Sequence, residues 1–205
     1  MHFERLFYLS LLFIFFLSCG NKTNNAPDKL STMDPVVKTD WEQPYLDKGA
    51  EVSSIVFKNL SGKLKSALTE QGVVGAVKYC NLAASPLVDS LSTVLHVDIR
   101  RTSHKTRNSS NAPTELESSI LSEYLSSGET GEMPAPKVIK EGDEIHYFAP
   151  IFLMDNCLKC HGTPGQEMAN ADYKIIRDLY PQDEAVGFSA GDLRGIWSLT
   201  FGQEE

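Results

Sequence analysis

Apolar positions along the chain change period several times, and each change marks an element. Leu6 to Leu17 is an almost unbroken apolar run. From Ala50 to Glu70, Val52, Ile55, Val56, Leu60, Leu64 and Leu68 recur at helical spacing. Gln71-Gly72 breaks the pattern, and Val73 to Ala84 resumes it with Val73, Ala76, Val77, Cys80, Ala83 and Ala84 on one face. Ser85-Pro86 reads as an N-cap and a first-turn proline, which predicts a short helix to about Ser92. Leu95, Val97 and Ile99 alternate with His96, Asp98 and Arg100, as in a half-buried strand. Arg100 to Asn111 is a polar loop. Asn111-Ala112-Pro113 leads into a helix through Leu125, with Leu116, Ile120, Leu121 and Tyr124 as its stripe. Gly128 to Pro136 is loop. Lys137 to Lys140 and Glu144 to Phe152 predict a hairpin around Glu141-Gly142-Asp143. Tyr173 to Leu179 is a short helix, Gly187 to Gly195 is glycine-rich, and Ile196 to Phe201 alternates as a closing strand. Helices come first and an antiparallel sheet later, an α+β pattern.

The two ends of the N-terminal segment differ in kind. Residues 1–18 have the form of a signal peptide, with Arg5 in the positive region and an apolar run too short to span a bilayer. The run ends in Phe16-Leu17-Ser18-Cys19-Gly20, which resembles a bacterial lipobox and implies cleavage before Cys19 and lipid on its thiol. Ordinary secretory cleavage and an uncleaved anchor are the alternatives, but a soluble mature form would leave Cys19 without a purpose. Residues 19–40 then read as the lipidated cysteine and a polar tether, and residues 41–205 as one domain. No second apolar run has spanning length, so lipid is the expected anchor, at a bacterial periplasmic or outer-membrane surface.

Composition narrows the partners. The formal net charge is −8. The Lys and Arg residues are not gathered into a stripe, which argues against nucleic acid as a ligand. There is no internal repeat.

The chemistry centres on Cys157-Leu158-Lys159-Cys160-His161-Gly162. C-x-x-C-H is the attachment signature of a c-type haem: two thiols reach the two vinyl groups, and the histidine turns toward the iron. Half of a zinc site would need a second Cys/His pair to follow, and no Cys or His occurs after His161. A thioredoxin-like pair or a plain disulfide leaves His161 idle. One covalent haem c is therefore expected.

Four cysteines are present, and three are accounted for by lipid and haem. Cys80 remains. Its apolar helical face and small neighbours allow either inert burial or ligation opposite His161. Met168 follows His161 too closely for an easy reach and reads as a surface-loop residue. Met133 and Met154 read as core or loop. His96, His104 and His146 fall on polar positions and read as solvent-exposed.

Several segments, taken in order, carry a resemblance. They are Lys78-Tyr79-Cys80-Asn81-Leu82-Ala83, Ile99-Arg100-Arg101-Thr102-Ser103, Arg107-Asn108-Ser109-Ser110-Asn111-Ala112-Pro113, the C-x-x-C-H run, and Gly187-Phe188-Ser189-Ala190-Gly191-Asp192-Leu193-Arg194-Gly195. Together they resemble the PAS-like c-type haem domain first described from cyanobacteria, over about residues 50–201. The resemblance implies a PAS-like α+β fold around one covalent haem. It implies Cys157 and Cys160 as attachment points, with His161 and Cys80 as the axial pair. His104 and Ser109 depart from the residues expected in that family's loop.

Arg100, Arg101, Arg107 and Arg194 are candidate partners for the haem propionates. Strand neighbours point to opposite faces, so Arg100 and Arg101 cannot both serve if the strand continues, and Arg101 is favoured. The expected role is redox sensing or one-electron transfer at low potential, with a separate redox or signalling partner protein. The alternative is a small-gas sensor, or a haem peroxidase or reductase, in which Cys80 leaves the iron. Enzyme activity is not expected.

Overall fold

A four-stranded antiparallel sheet in the order β1-β4-β3-β2 carries helices on both faces. The computed structural model describes residues 41–202. The signal peptide, Cys19 and the tether to residue 40 lie outside the described residues. The elements are α1 (Glu42–Leu82), α2 (Ala84–Leu95), β1 (Asp98–Thr102), α3 (Glu115–Glu129), β2 (Lys137–Glu141), β3 (Glu144–Phe152), α4 (Leu158–His161), α5 (Asn170–Leu179) and β4 (Leu193–Phe201). Among them no helix is long and apolar enough to cross a membrane.

The predicted break is real: Gly72 (φ 66°, ψ −165°) divides α1 into two arms. Only glycine adopts that backbone region readily. The first arm begins at Glu42, earlier than the expected Ala50, because Tyr45 and Leu46 also pack on the core. Gly49, a poor helix former, sits where the arm comes closest to the sheet. A Cβ there would enter the Tyr147 ring.

Leu95 is a correction to the predicted strand. It ends α2, and His96 takes the left-handed cap position (φ 53°) before β1 starts at Asp98. A period-2 pattern of three residues also fits the last turn of a helix, and here the helix wins. At the other end β1 runs through Thr102. Thr114 caps α3: its side chain accepts from the Glu117 N–H at 3.2 Å, and Glu117 accepts from the Thr114 N–H at 2.8 Å. This capping box fixes the helix start.

Strand alternation divides the core in two. Ile99, Ile145, Tyr147, Ala149, Trp197 and Leu199 face Val52, Val56 and Leu60 of α1 and Val88 of α2. Phe148 and Ile196 face Ile120, Leu121 and Tyr124 of α3. With both faces covered, even the alternating polar positions of the sheet are shielded. His146 is therefore only 9% exposed, which corrects the expectation of a solvent-facing side chain. Its Nδ1 lies 3.1 Å from Thr200 Oγ1, and its ring stacks near Phe148. The second arm of α1 packs on α5, where Val77, Ile176 and Tyr180 enclose Met168. Met168 is fully buried, not a surface-loop residue. The loop before it folds back, with Gly165 donating from its N–H to Met168 O at 2.8 Å.

Candidate functional site

Cys157 ends a short 3-10 turn, and Cys160 and His161 lie on the single turn of α4. Four residues do not hold a helix on their own, so backbone bonds pin this turn from outside. Gly162 N closes the turn itself by donating to Leu158 O at 2.8 Å, and from outside it Gly187 N donates to Gly162 O at 3.1 Å and Phe188 N to His161 O at 3.0 Å. Cys80, Cys157 and Cys160 are all free thiols of intermediate exposure. No group of three Asp, Glu, His or Cys side chains among the described residues is placed to hold a metal ion by itself.

His161 is oriented by the main chain. Its Nδ1 lies 2.9 Å from Ala185 O. A carbonyl can only accept, so Nδ1 carries the proton and Nε2 carries the lone pair. Burial pushes the imidazole pKa well below its usual value, and the Arg107 and Arg194 charges push the same way against the Ala185 bond. The ring is a neutral base with one nitrogen available. The ring of Phe188 stands edge-on to it, with centroids 6.4 Å apart.

Cys80 lies on the second arm of α1, one turn after Val77. Burial raises its thiol pKa, and Arg101 and Arg107 lower it. The Cys160 thiol is pushed up to about 11 by burial, with Arg107 lowering it and Cys80, Asp172 and Cys157 raising it. Each thiol thus feels the other's surroundings. Cys160 also packs against the cluster that contains Val77 and Met168. This packing brings the α4 turn against the second arm of α1 and against α5.

The four arginines separate by what they touch. Arg100 faces α3, where its Nε meets Glu117 Oε1 at 3.1 Å and its Nη2 donates to Ala112 O at 3.0 Å. Arg101 points to the opposite face, toward α1, with its guanidinium carbon 5.7 Å from the Trp197 ring centroid. Burial lowers its pKa, and Cys80, Tyr79 and Tyr180 raise it, so it stands beside the Cys80 region. Arg107 spans the site floor. Its Nη2 donates to Cys160 O at 2.6 Å and to Ala185 O at 3.1 Å, while Nε donates to Asp183 Oδ1 at 3.2 Å. Arg194 donates to Lys105 O at 3.0 Å and lies over Phe188 at 5.5 Å; burial first, then Arg107 and Arg101 against Asp183, holds its pKa at about 10.

Other sequence candidates are placed elsewhere. Met133 and Met154 are 78% and 56% exposed. His104 is exposed, beside Phe188 with centroids 5.8 Å apart. Asp183 and Ala185 carry no signal in the sequence. Asp183 sits in the run Gln182-Asp183-Glu184, which reads as solvated charge, yet it is 5% exposed. Ala185 acts only through its carbonyl.

The arrangement offers two thiols on one helical turn, an imidazole nitrogen with a free lone pair, and a third thiol near cationic side chains. Known proteins share this scaffold. None of the curated proteins matches the chain. The crystal structure of the cyanobacterial haem-protein Tll0287 matches with a TM-score of 0.59 and 22% identity, over 79% of this chain and 97% of that one. Its likeness is one of fold: the same α+β architecture. The Tll0287-like family matches residues 28–201, most of the sequence, and the chain described here belongs to that family.

Proposed function

We propose that this chain is a haem-binding protein carrying one covalent haem, lipid-anchored through Cys19 at a bacterial cell envelope, and acting in redox sensing or one-electron transfer. Cys157 and Cys160 would hold the haem, His161 Nε2 and Cys80 Sγ would ligate its iron, and Arg101 would pair with a propionate. When bound, the haem supplies a one-electron iron couple whose potential follows its axial ligands.

The carrying observation is the bond between His161 Nδ1 and Ala185 O at 2.9 Å. It fixes the tautomer that a ligating histidine needs and leaves the other nitrogen with its lone pair. The free thiols of Cys157 and Cys160 beside it fit covalent attachment. Cys80 completes the set by its place on the second arm of α1, where burial raises its thiol pKa and the charges of Arg101 and Arg107 offset part of that rise. Arg100, Arg107 and Arg194 are engaged by Glu117, Asp183 and backbone carbonyls, which makes Arg101 the better propionate partner. A thiolate donor favours the oxidised iron, so the protein works at low potential. Both axial positions are claimed by side chains, which argues against substrate turnover. A redox or signalling partner protein receives the electron or the signal, and nucleic acid does not take part.

Ferric and ferrous absorption spectra with a potential titration test this reading. Low-spin spectra in both states and a low potential support it. A protein purified from a haem-attaching host without covalent haem overturns it. Rapid binding of CO or NO to the reduced form instead selects the gas-sensing or catalytic alternative, with Cys80 leaving the iron.

A further inference from the structure

The Ala185 carbonyl accepts twice. His161 Nδ1–H donates to it at 2.9 Å, and Arg107 Nη2 donates to it at 3.1 Å. The same Arg107 nitrogen also donates to Cys160 O at 2.6 Å, inside the attachment motif. Behind it stands Asp183, whose Oδ1 takes Arg107 Nε at 3.2 Å and the Ala185 N–H at 2.9 Å. This ion pair is interior: the side chains are 12% and 0% exposed. Asp183 Oδ2 is buried without a hydrogen-bond partner. A buried acid kept with one oxygen unsatisfied is costly, and the hydrogen bonds of its other carboxylate oxygen run to Arg107 and Ala185.

We propose that Arg107 and Asp183 form a positioning pair that sets the electron-donating strength of His161 through their shared acceptor, the Ala185 carbonyl. The inference rests on His161 serving as an axial ligand. The guanidinium charge draws density from the carbonyl oxygen, so that oxygen is a weaker acceptor for His161 Nδ1–H. The imidazole keeps its proton more tightly, Nε2 donates less, and the ferric state is less favoured. Asp183 moderates the effect by offsetting the guanidinium charge. The chain therefore carries a built-in setting of potential that lies outside the ligands themselves. The downward push of Arg107 on the His161 pKa agrees with their closeness.

The test uses the full haem-loaded chain and two readouts: reduction potential, and the His161 Nδ1 proton resonance in the ferrous protein. Arg107→Gln removes the competing charge. It is expected to lower the potential by an amount equal to a tenfold change in the oxidised-to-reduced ratio, about 59 mV for one electron, and to move the His161 proton downfield. Asp183→Asn keeps the shape and removes the offset, and is expected to shift both readouts the other way. Opposite shifts cannot come from loosening alone, and if Arg107→Gln fails to load haem, Asp183→Asn carries the test. Arg107→Lys keeps a charge but cannot fork to Asp183 and both carbonyls. A wild-type potential and proton resonance in that variant overturns the hydrogen-bond role. Low-spin, haem-loaded variants with unchanged potentials overturn this inference and leave the proposed function standing. A wild-type spectrum insensitive to His161→Ala removes both.

Discussion

Arg100 and Glu117 meet at 3.1 Å between the outer strand β1 and the first turn of α3. The same carboxylate closes the Thr114 cap. With Arg100 held on the α3 side, the next residue in the strand is turned to the other face, and Arg101 lies on the side of α1, near Trp197.

Removing this carboxylate tests its double role. Glu117→Ala loses the cap acceptor and leaves Arg100 to water. Arg100 is 38% exposed, so solvent replaces much of the ion pair. The expected cost is about 1–2 kcal/mol, a fall in Tm of about 2–8 °C for a domain of this size. A thermal melt followed by circular dichroism checks it, and an unchanged Tm refutes the role.

The acid limb of stability should depend on the same residue. Burial raises the Glu117 pKa, but the Thr114 N–H, the Arg100 hydrogen bond and charge, and Ser198 together bring it below the usual carboxylate value. A depressed folded pKa contributes stability above the unfolded value and loses it as pH falls through the folded one. Urea midpoints at about pH 6 and about pH 3, on either side of the ordinary value near 4.3, should differ less in Glu117→Gln than in the wild type.

Three glycines in α1 should respond differently to alanine. Gly49→Ala drives a methyl group into the Tyr147 ring and should cost about 2–3 kcal/mol. Gly72→Ala meets no neighbour but must hold φ 66°, at a cost of about 1–3 kcal/mol. Gly62 is helical and open, so Gly62→Ala should gain up to about 1 kcal/mol. Denaturant titration of the three variants would show whether contact, backbone strain and helix propensity have been assigned to the right positions.

The proposed roles of the three thiols give separate expectations. Cys157→Ser with Cys160→Ser should lose haem staining on a denaturing gel, whereas Cys80→Ala should keep it. Cys80→Ala should change the ferric spectrum and raise the potential. Retention of stain in the double variant, or an unchanged spectrum in the single one, would break the corresponding assignment.

Much of this architecture was visible as periodicity. The hairpin strands, the break at Gly72 and the helix of Leu116, Ile120, Leu121 and Tyr124 follow from where apolar residues fall. The errors have physical causes. The start of α1 before Ala50 is hidden because the packing of Tyr45 and Leu46, and the approach of Gly49 to Tyr147, depend on residues far along the chain. Leu95 was ambiguous because three alternating residues fit either period. Met168 seemed exposed because nothing local shows that its loop turns inward. At the site, cysteine spacing pointed to Cys157, Cys160 and His161, and strand alternation separated Arg100 from Arg101. The Ala185 carbonyl was invisible, since every residue has one, and Asp183 was hidden among neighbours that do face water.

The sheet order also bears on the sequence of events by which the molecule is made. The strand β4, last of the four in the chain, lies between β1 and β3. A chain delivered from its N-terminus therefore presents Cys157 and Cys160 before the sheet can close, because its central ladders await residues 193–201. The second arm of α1, with Cys80, is already made by then, but its long-range partners are not. Such non-local pairing forms late. On the proposed function, that order leaves an interval in which Cys157 and Cys160 would be open to haem attachment before Cys80 is brought to the iron. Closure by β4 ends that interval.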